Sequence, residues 1–129
     1  MTDTDSILDV TKQLCGLDPL DTSYDSEIIV HINTIFFVLK KLGLGPEYGF
    51  MILNKDAKWS DFIGEANIHA VKTYMGLKVK MLFDPPATGP ATQAMERQAT
   101  HLEWLLNIDA EEVKWDALQA ISSETTVSE

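Results

Sequence analysis

Residues 74–86 read YMGLKVKMLFDPP, and this stretch decides how the second half of the chain folds. Apolar side chains dominate it up to Phe83, and Pro85 and Pro86 follow after one residue. Because a proline pushes the residue before it out of the α region, we expect a helix to end here and a rigid hinge to follow. The apolar residues recur at helical spacing, so the stretch predicts the C-terminal part of a helix over residues 65–83.

The predicted helix over residues 65–83 is apolar on more than half of its circumference. Its apolar residues form two stripes, the first with Ile68, Val71, Met75, Val79 and Leu82 and the second with Ala70, Tyr74, Leu77 and Met81. A helix of this kind either occupies the centre of a bundle or contacts a second subunit. If it contacts a second subunit, the expected interface residues are Tyr74, Leu77, Lys78 and Met81.

Two residues of this helix are unusual. Lys78 projects into the apolar arc, where it either lays its stem on the core with its ammonium at the edge, or pairs with an acid of a neighbouring subunit. The narrow polar sector of the helix contains His69, Lys72, Thr73, Gly76 and Lys80. A glycine inside a helix costs about 1 kcal/mol, so Gly76 either loosens the helix or admits a close neighbour.

A long helix is also predicted over about residues 24–42. Ser23 is expected to be its N-cap, and Gly43 is suited to a left-handed exit. Its apolar stripe comprises Ile28, Ile29, Ile32, Ile35, Phe36, Leu39 and Leu42. This period of 3.6 residues is typical of a helix that buries one face.

Shorter elements are expected on either side of this helix. A first helix covers about residues 4–15, with Asp3 or Thr4 as its cap. Residues 43–59 are rich in glycine and read as a long irregular loop. The sequence WSDFIG that follows predicts a single helical turn capped by Ser60.

The chain after the double proline predicts one more helix and a tail. The helix is expected from Pro90 to about Asn107. Its inner face comprises Met95, Gln98 or Ala99, Leu102, Leu105 and Leu106. The predicted fold is all-α, a small bundle of four main helices with a long irregular loop between the second and third. A helical domain over residues 1–108 carries an acidic C-terminal tail over residues 109–129, with a weak helix over 111–121.

The charge of the chain is unevenly distributed. The 129 residues carry a net charge of −10, with −6 in residues 1–27, +1 in residues 28–108 and −5 in residues 109–129. An acidic chain cannot gain affinity for DNA by displacing counterions from the phosphates, so DNA is not expected as the main ligand. No apolar run approaches the ~20 residues of a membrane span, and the acidic N-terminus does not resemble a signal peptide. We therefore expect an intracellular protein with no membrane contact.

No motif predicts a catalytic, cofactor-binding or metal site. The spacing of His31, His69 and His101 does not fit a metal site, and no cysteine lies near them. Cys15, the single cysteine, excludes an intramolecular disulfide and is expected to be a small buried thiol rather than a nucleophile. The acidic clusters lack the ligand ladder of a calcium loop.

Trp115 is conspicuous because the acidic tail offers little to bury it. It is either an unimportant residue of a frayed end or an anchor of an interface, since large aromatic side chains are the usual anchors. The second alternative assigns Val113, Trp115 and Leu118 to the docking of a partner.

Several segments together resemble a known family. They are YDSEIIVHINTIFFVLKKLGLGP at 24–46, GFMI at 49–52, WSDF at 59–62, VKTYMGLKVKMLFDPP at 71–86 and MERQATHLEWLLN at 95–107. In order and spacing these segments resemble the small head–tail connector (adaptor) proteins of long-tailed bacteriophages. The resemblance covers about residues 6–108.

The resemblance implies a structural virion protein with no enzymatic activity and no cofactor. Such a protein is made in the host cytoplasm and forms a homo-oligomeric ring, typically of twelve copies, beneath the portal protein at the neck of the virion. The ring joins the DNA-filled head to the tail, lets DNA pass through its channel without specific binding, and presents a platform to a stopper or tail-completion protein. The partner implied for Val113, Trp115 and Leu118 is then the portal.

An alternative function comes from a different class. The chain would then be a soluble helical interaction module that binds a single phage or host protein through the 65–83 helix and the tail. The two hypotheses differ in whether the chain binds the portal.

Overall fold

The computed structural model describes residues 5–64 and 67–127; within the last helix it describes the side chains up to residue 112 and those at 115, 116, 118 and 119. The helices are α1 Ile7–Leu14, α2 Asp25–Lys41, α3 Trp59–Phe62, α4 Ile68–Phe83 and α5 Gly89–Val127. The described residues contain no strand, and Ser6 and Lys58 form one isolated antiparallel bridge. The predicted all-α bundle with a long loop is therefore confirmed.

The centre of the bundle is α4, which packs against α1, α2 and α5. Val71, Met75 and Val79 of the first stripe are fully buried, and so is Tyr74 of the second stripe. The Tyr74 hydroxyl donates a hydrogen bond to the Glu103 carboxylate of α5. The first stripe therefore packs mostly inside a single chain, with Leu82 at its end half exposed, whereas Leu77 and Met81 of the second stripe are only half-buried.

The apolar face of α2 is buried as its period predicts. Ile28, Ile32, Ile35, Phe36 and Leu39 are buried, and Ile29 and Leu42 pack against the same core. Gly43 ends the helix with φ 93°. The prediction of Ser23 as N-cap is wrong: the N-cap is Tyr24, which makes no side-chain cap bond. Ser23 instead donates its backbone N–H to the Asp21 carboxylate at 2.9 Å, in a turn before the helix.

The cap of α1 is Ser6, so the prediction of Asp3 or Thr4 is wrong, and those two residues lie outside the described residues. The Ser6 hydroxyl accepts the Asp9 N–H at 3.3 Å and donates to the Lys55 carbonyl at 2.7 Å. Ser6 is the N-cap because its single hydroxyl can accept the helix N–H and donate to the loop at the same time.

A buried lysine fixes the connection between α1 and α2. The Lys12 side chain is 1% exposed; its ammonium lies 2.7 Å from the Asp25 carboxylate and donates to the Pro19 carbonyl at 2.9 Å. An ammonium that is removed from water requires such partners, so this pair specifies how the chain turns between the two helices.

The loop over residues 43–58 is irregular but firmly attached. The Asn33 amide accepts the Ile52 N–H at 2.8 Å and donates to the Ile52 carbonyl at 3.1 Å, as a neighbouring strand would. The loop delivers Phe50 into an aromatic cluster with Phe36 and Phe62. The turn α3 follows, but Ser60 is not its cap, because Lys58 precedes the helix and the Asp61 carboxylate accepts the Lys58 N–H at 3.1 Å.

The last helix differs most from the prediction. It does not stop near Asn107 but continues as one helix to Val127. The sequence after Asn107 contains no glycine or proline, and Asn107 is occupied elsewhere: its amide donates to the Leu42 carbonyl at the end of α2, at 3.2 Å. On the inner face, Ala99 and Leu106 are buried and Leu102 is half-buried, whereas Gln98 and Leu105 are exposed.

Gly76 does not lie in a polar sector, because α1 approaches it closely. A Cβ atom at this position would lie 2.8 Å from the Leu14 Cβ and 2.7 Å from its Cδ1. The expected alternative of a close neighbour is therefore confirmed, and the glycine allows α1 to lie directly on α4.

Cys15 is a buried free thiol, as expected, at the end of α1. Burial raises its pKa to about 11; Lys80 lowers the pKa and Asp84 raises it, each by a smaller effect. Since only the thiolate is a nucleophile, this cysteine is unreactive near neutral pH.

We expect Gly76→Ala to lower the free energy of unfolding by roughly 1–2 kcal/mol, because the overpacking against Leu14 exceeds the gain in helix propensity. Urea unfolding followed by circular dichroism measures the change. Gly89→Ala is the matched control, because a Cβ there meets nothing within 4 Å and should be neutral or stabilising. Equal stabilisation by both substitutions would contradict the close contact.

Alkylation of Cys15 at pH 8 should be at least roughly 100-fold slower in the folded chain than in urea, because its pKa is about 11 rather than the usual 9.0. The folded rate should still rise about tenfold per pH unit above pH 9, where the unfolded rate levels off. Mass spectrometry of iodoacetamide adducts measures both rates. Equal rates in the two states would show that the thiol is accessible.

Candidate interaction surfaces

The described residues offer no cluster for metal chemistry. No group of three His, Cys, Asp or Glu side chains in the described part of the chain could hold a metal ion. His31 lies 3.7 Å from Glu27 on the same helix, and His69 and His101 are exposed. The features of the described residues that suggest a function are exposed surfaces. In the described residues, no helix has the length and hydropathy that a membrane span requires.

The four residues that the sequence assigned to a subunit interface do not share one environment. Tyr74 is fully buried under α5, and burial and the Glu103 carboxylate together raise its pKa. Its side chain is therefore a core residue in the single chain. Leu77, Lys78 and Met81 are half-buried, and their role in a subunit contact stays a prediction.

An acidic side chain close to Lys78 lies in the same chain. The Lys78 ammonium is 3.9 Å from the Glu103 carboxylate, which also accepts the Tyr74 hydroxyl. About 30% of the Lys78 side chain is exposed, so its stem lies on the core and its charge stays near water in the single chain. A pair with this exposure adds little stability by itself. A pair with an acid of a neighbouring subunit stays a prediction.

An open groove runs between α2, α4 and α5, with a volume of about 540 Å³. Val38, Met81, Leu82 and Ala99 provide its apolar surface, and Lys78 and Glu96 lie at its sides. Leu82 is 50% exposed in the single chain. The exposed large apolar side chain of α4, Leu82, therefore lies at its C-terminal end, beside the double proline.

The C-terminal part of α5 forms a second surface. Among the described side chains near the end of the bundle, Asn107 donates to the Leu42 carbonyl, and the Ala110 Cβ lies 3.3 Å from where a Cβ at Gly43 would be. Glu111 lines a groove together with Lys40 and Lys41. Beyond this point Trp115 is 60% and Leu118 53% exposed, whereas the side chain of Val113 lies outside the described residues. We call residues 111–127 the acidic arm. That it docks on the portal stays a prediction.

A third surface was missed by the sequence analysis. Phe37, Tyr48 and Met51 are 59%, 88% and 64% exposed, and they lie around one groove on α2 and the long loop. Lys40 also lines this groove, and the Lys41 ammonium lies 5.3 Å above the Phe37 ring. We call Phe37, Lys40, Lys41, Tyr48 and Met51 the basic–aromatic patch. Phe37 was the available signal, because it follows the stripe residue Phe36 and cannot share its buried face.

Comparison with known proteins identifies the family. A family model described as phage connector protein matches residues 7–113, which include α1 to α4 and α5 as far as the start of the acidic arm. Searches of curated proteins and of solved structures gave no match. The matched region contains every helix of the bundle, and it agrees with the resemblance found in the sequence. The chain therefore belongs to the phage connector protein family, whose members are structural components of the bacteriophage head–tail connection.

Proposed function

We propose that copies of this chain form a ring beneath the portal of the phage head, extend the channel for DNA and offer a platform to a stopper or tail-completion protein. The observation that carries this proposal is the family match over residues 7–113. A ring of twelve copies at the virion neck is the assembly that we expect. The chain acts as a structural part and catalyses no reaction.

The surfaces of the single chain support a ring. A closed ring of identical copies needs two different faces that fit each other, because each copy contacts its two neighbours differently. The groove between α2, α4 and α5 and the basic–aromatic patch are different apolar faces on the same bundle. Exposed apolar surface of this kind marks sites of protein contact.

The charge of the chain supports passage of DNA without binding. The net charge of −10 opposes the attraction of phosphates that drives non-specific binding to DNA. The same charge weakens the association of free copies, which the portal then strengthens by bringing them together.

Deletion of the gene from the phage tests the function. We expect DNA-packed heads and free tails that do not join, visible by electron microscopy. Supplying the wild-type gene from a plasmid should restore joining and serves as the control. Normal virions without the gene would refute the connector function. Failure of the purified chain to bind purified portal would instead favour the single-partner interaction module.

The groove beside the double proline supplies a second test. We expect Leu82→Glu to weaken assembly on purified portal by roughly tenfold or more, because a carboxylate would be placed in an apolar contact. The free energy of unfolding should change by less than about 0.5 kcal/mol, since Leu82 is half exposed. Leu20→Glu, at a position that is 80% exposed between α1 and α2, is the control. Mass photometry of portal complexes measures the assembly, and full assembly of Leu82→Glu would exclude this groove as an interface.

A further inference from the structure

The acidic arm and the basic–aromatic patch are both exposed, and they carry opposite charges beside apolar side chains. The acidic arm carries Trp115 and Leu118 beside Glu111, Glu112 and Asp116, all exposed. The basic–aromatic patch carries three exposed apolar side chains beside two lysines. One surface therefore presents apolar groups with acids, and the other presents apolar groups with bases.

The arm has the form of a helix that binds in a groove. Glu111, Trp115 and Leu118 follow one another at spacings of four and three residues, so they lie on one side of α5. Amphipathic helices bind grooves through apolar anchors at this spacing. A large aromatic anchor with a second apolar residue one turn away is the usual centre of such a contact.

The patch offers a groove of matching size and character. The groove measures about 570 Å³, and Phe36 and Phe50, which pack edge to face at 5.0 Å between ring centroids, line it. The stem of Lys40 lies along Gly49, where a Cβ would be 3.6 Å from the lysine Cδ. Clefts of this volume accept ligands with several rings, so a tryptophan side chain has room here.

The charges on both sides are available for a partner. Among the side chains that the structure describes, neither Lys40 nor Lys41 forms a salt bridge, and neither do Glu112 and Asp116. Residues 109–129 as a whole carry a net charge of −5. Complementary charge attracts the two surfaces and fixes their orientation.

The apolar anchors of the arm do not bind the patch of their own chain, although Glu111 at the base of the arm lines a groove with Lys40 and Lys41. The exposure of Trp115 and Leu118 places both outside the groove. The helix α5 is continuous from the bundle into the arm, which extends about 25 Å past Ala110. For the arm to reach the patch of its own chain, α5 would have to break. The patch of a second copy can contact the arm while α5 stays continuous.

We propose that the acidic arm of one copy binds the basic–aromatic patch of the next copy, with Trp115 and Leu118 in the groove and Glu112 and Asp116 facing Lys40 and Lys41. This inference rests on the proposed ring and names one of its contacts. Each copy gives an arm to one neighbour and accepts an arm from the other, so the contact has a direction and suits a closed ring. The contact should weaken as salt is added.

Charge reversal on the full chain tests the contact. One variant carries Lys40→Glu and Lys41→Glu, and the other carries Glu112→Lys and Asp116→Lys. Each variant alone should self-associate roughly tenfold less than the wild type, because arm and patch then carry like charges. An equal mixture should recover wild-type association, because the reversed arm fits the reversed patch and the unchanged arm fits the unchanged patch. Sedimentation equilibrium at low salt measures all four samples.

A covalent test detects a weak contact. Leu118→Cys on one chain and Met51→Cys on another should form a mixed disulfide under mild oxidation, and Leu118→Cys with Leu20→Cys should not. Cys15 does not interfere, since it is buried. The inference is overturned if the mixture of charge variants does not recover association, or if the wild type stays monomeric up to about 1 mM and no mixed disulfide forms.

The remaining outcomes separate this contact from the ring. Unchanged association of both charge variants would overturn the arm contact, while binding to purified portal would still support the ring. Loss of portal binding by Glu112→Lys with Asp116→Lys, at unchanged self-association, would identify the portal as the partner of the arm and overturn the inference. If the wild-type chain neither forms a ring nor binds purified portal, the proposed function itself is refuted.

Discussion

Burial of α4 on three sides is the constraint on which the rest of the structure depends. α1, α2 and α5 each pack against it, and Val71, Met75 and Val79 lose all contact with water. Burial of each of these side chains contributes roughly 1.5–3 kcal/mol, so this helix supplies much of the core. Two of these helices contact α4 at single defined residues. Leu14 of α1 packs on Gly76, and Glu103 of α5 accepts a hydrogen bond from the Tyr74 hydroxyl. The arrangement of the bundle follows from these contacts.

Because one face of α4 is buried within one chain, most of the exposed apolar surface of the described residues lies on other elements. The C-terminal end of α4 remains partly open at Leu82. The large apolar and aromatic side chains that are exposed by more than half lie, among the described residues, on α2, on the loops before and after it, and on α5. The loop over residues 43–58 contributes to this exposed surface. Asn33 holds Ile52 in place, and the neighbouring Met51 is directed outward. A connector protein must fold stably as a single chain and must also contact other proteins. A buried α4 with exposed apolar side chains on other elements is compatible with both requirements.

The charge distribution agrees with that division. The two acidic ends flank a nearly neutral middle, and the lysines at the end of α2 interrupt the acidic surface near the point where α5 leaves the bundle. Such a pattern favours contacts that bring a basic surface against an acidic one, because a pairing of this kind relieves the repulsion. The family match ends at residue 113, inside the acidic arm.

The sequence by itself determined the all-α class, the buried face of α2, the end of α4 at the double proline and the family, because these depend on local periodicity, on proline geometry and on an ordered set of segments. Only the tertiary structure decided the caps at Ser6 and Tyr24, the burial of Tyr74, the close approach at Gly76 and the exposed patch around Phe37. Each of these depends on which residues distant in sequence become neighbours: Ser6 is chosen by the Lys55 carbonyl, and Tyr74 is covered by α5. The length of α5 depends on both the sequence and the tertiary structure. Its sequence permits a continuous helix, and the Asn107 side chain does not end the helix because it is bonded to the Leu42 carbonyl.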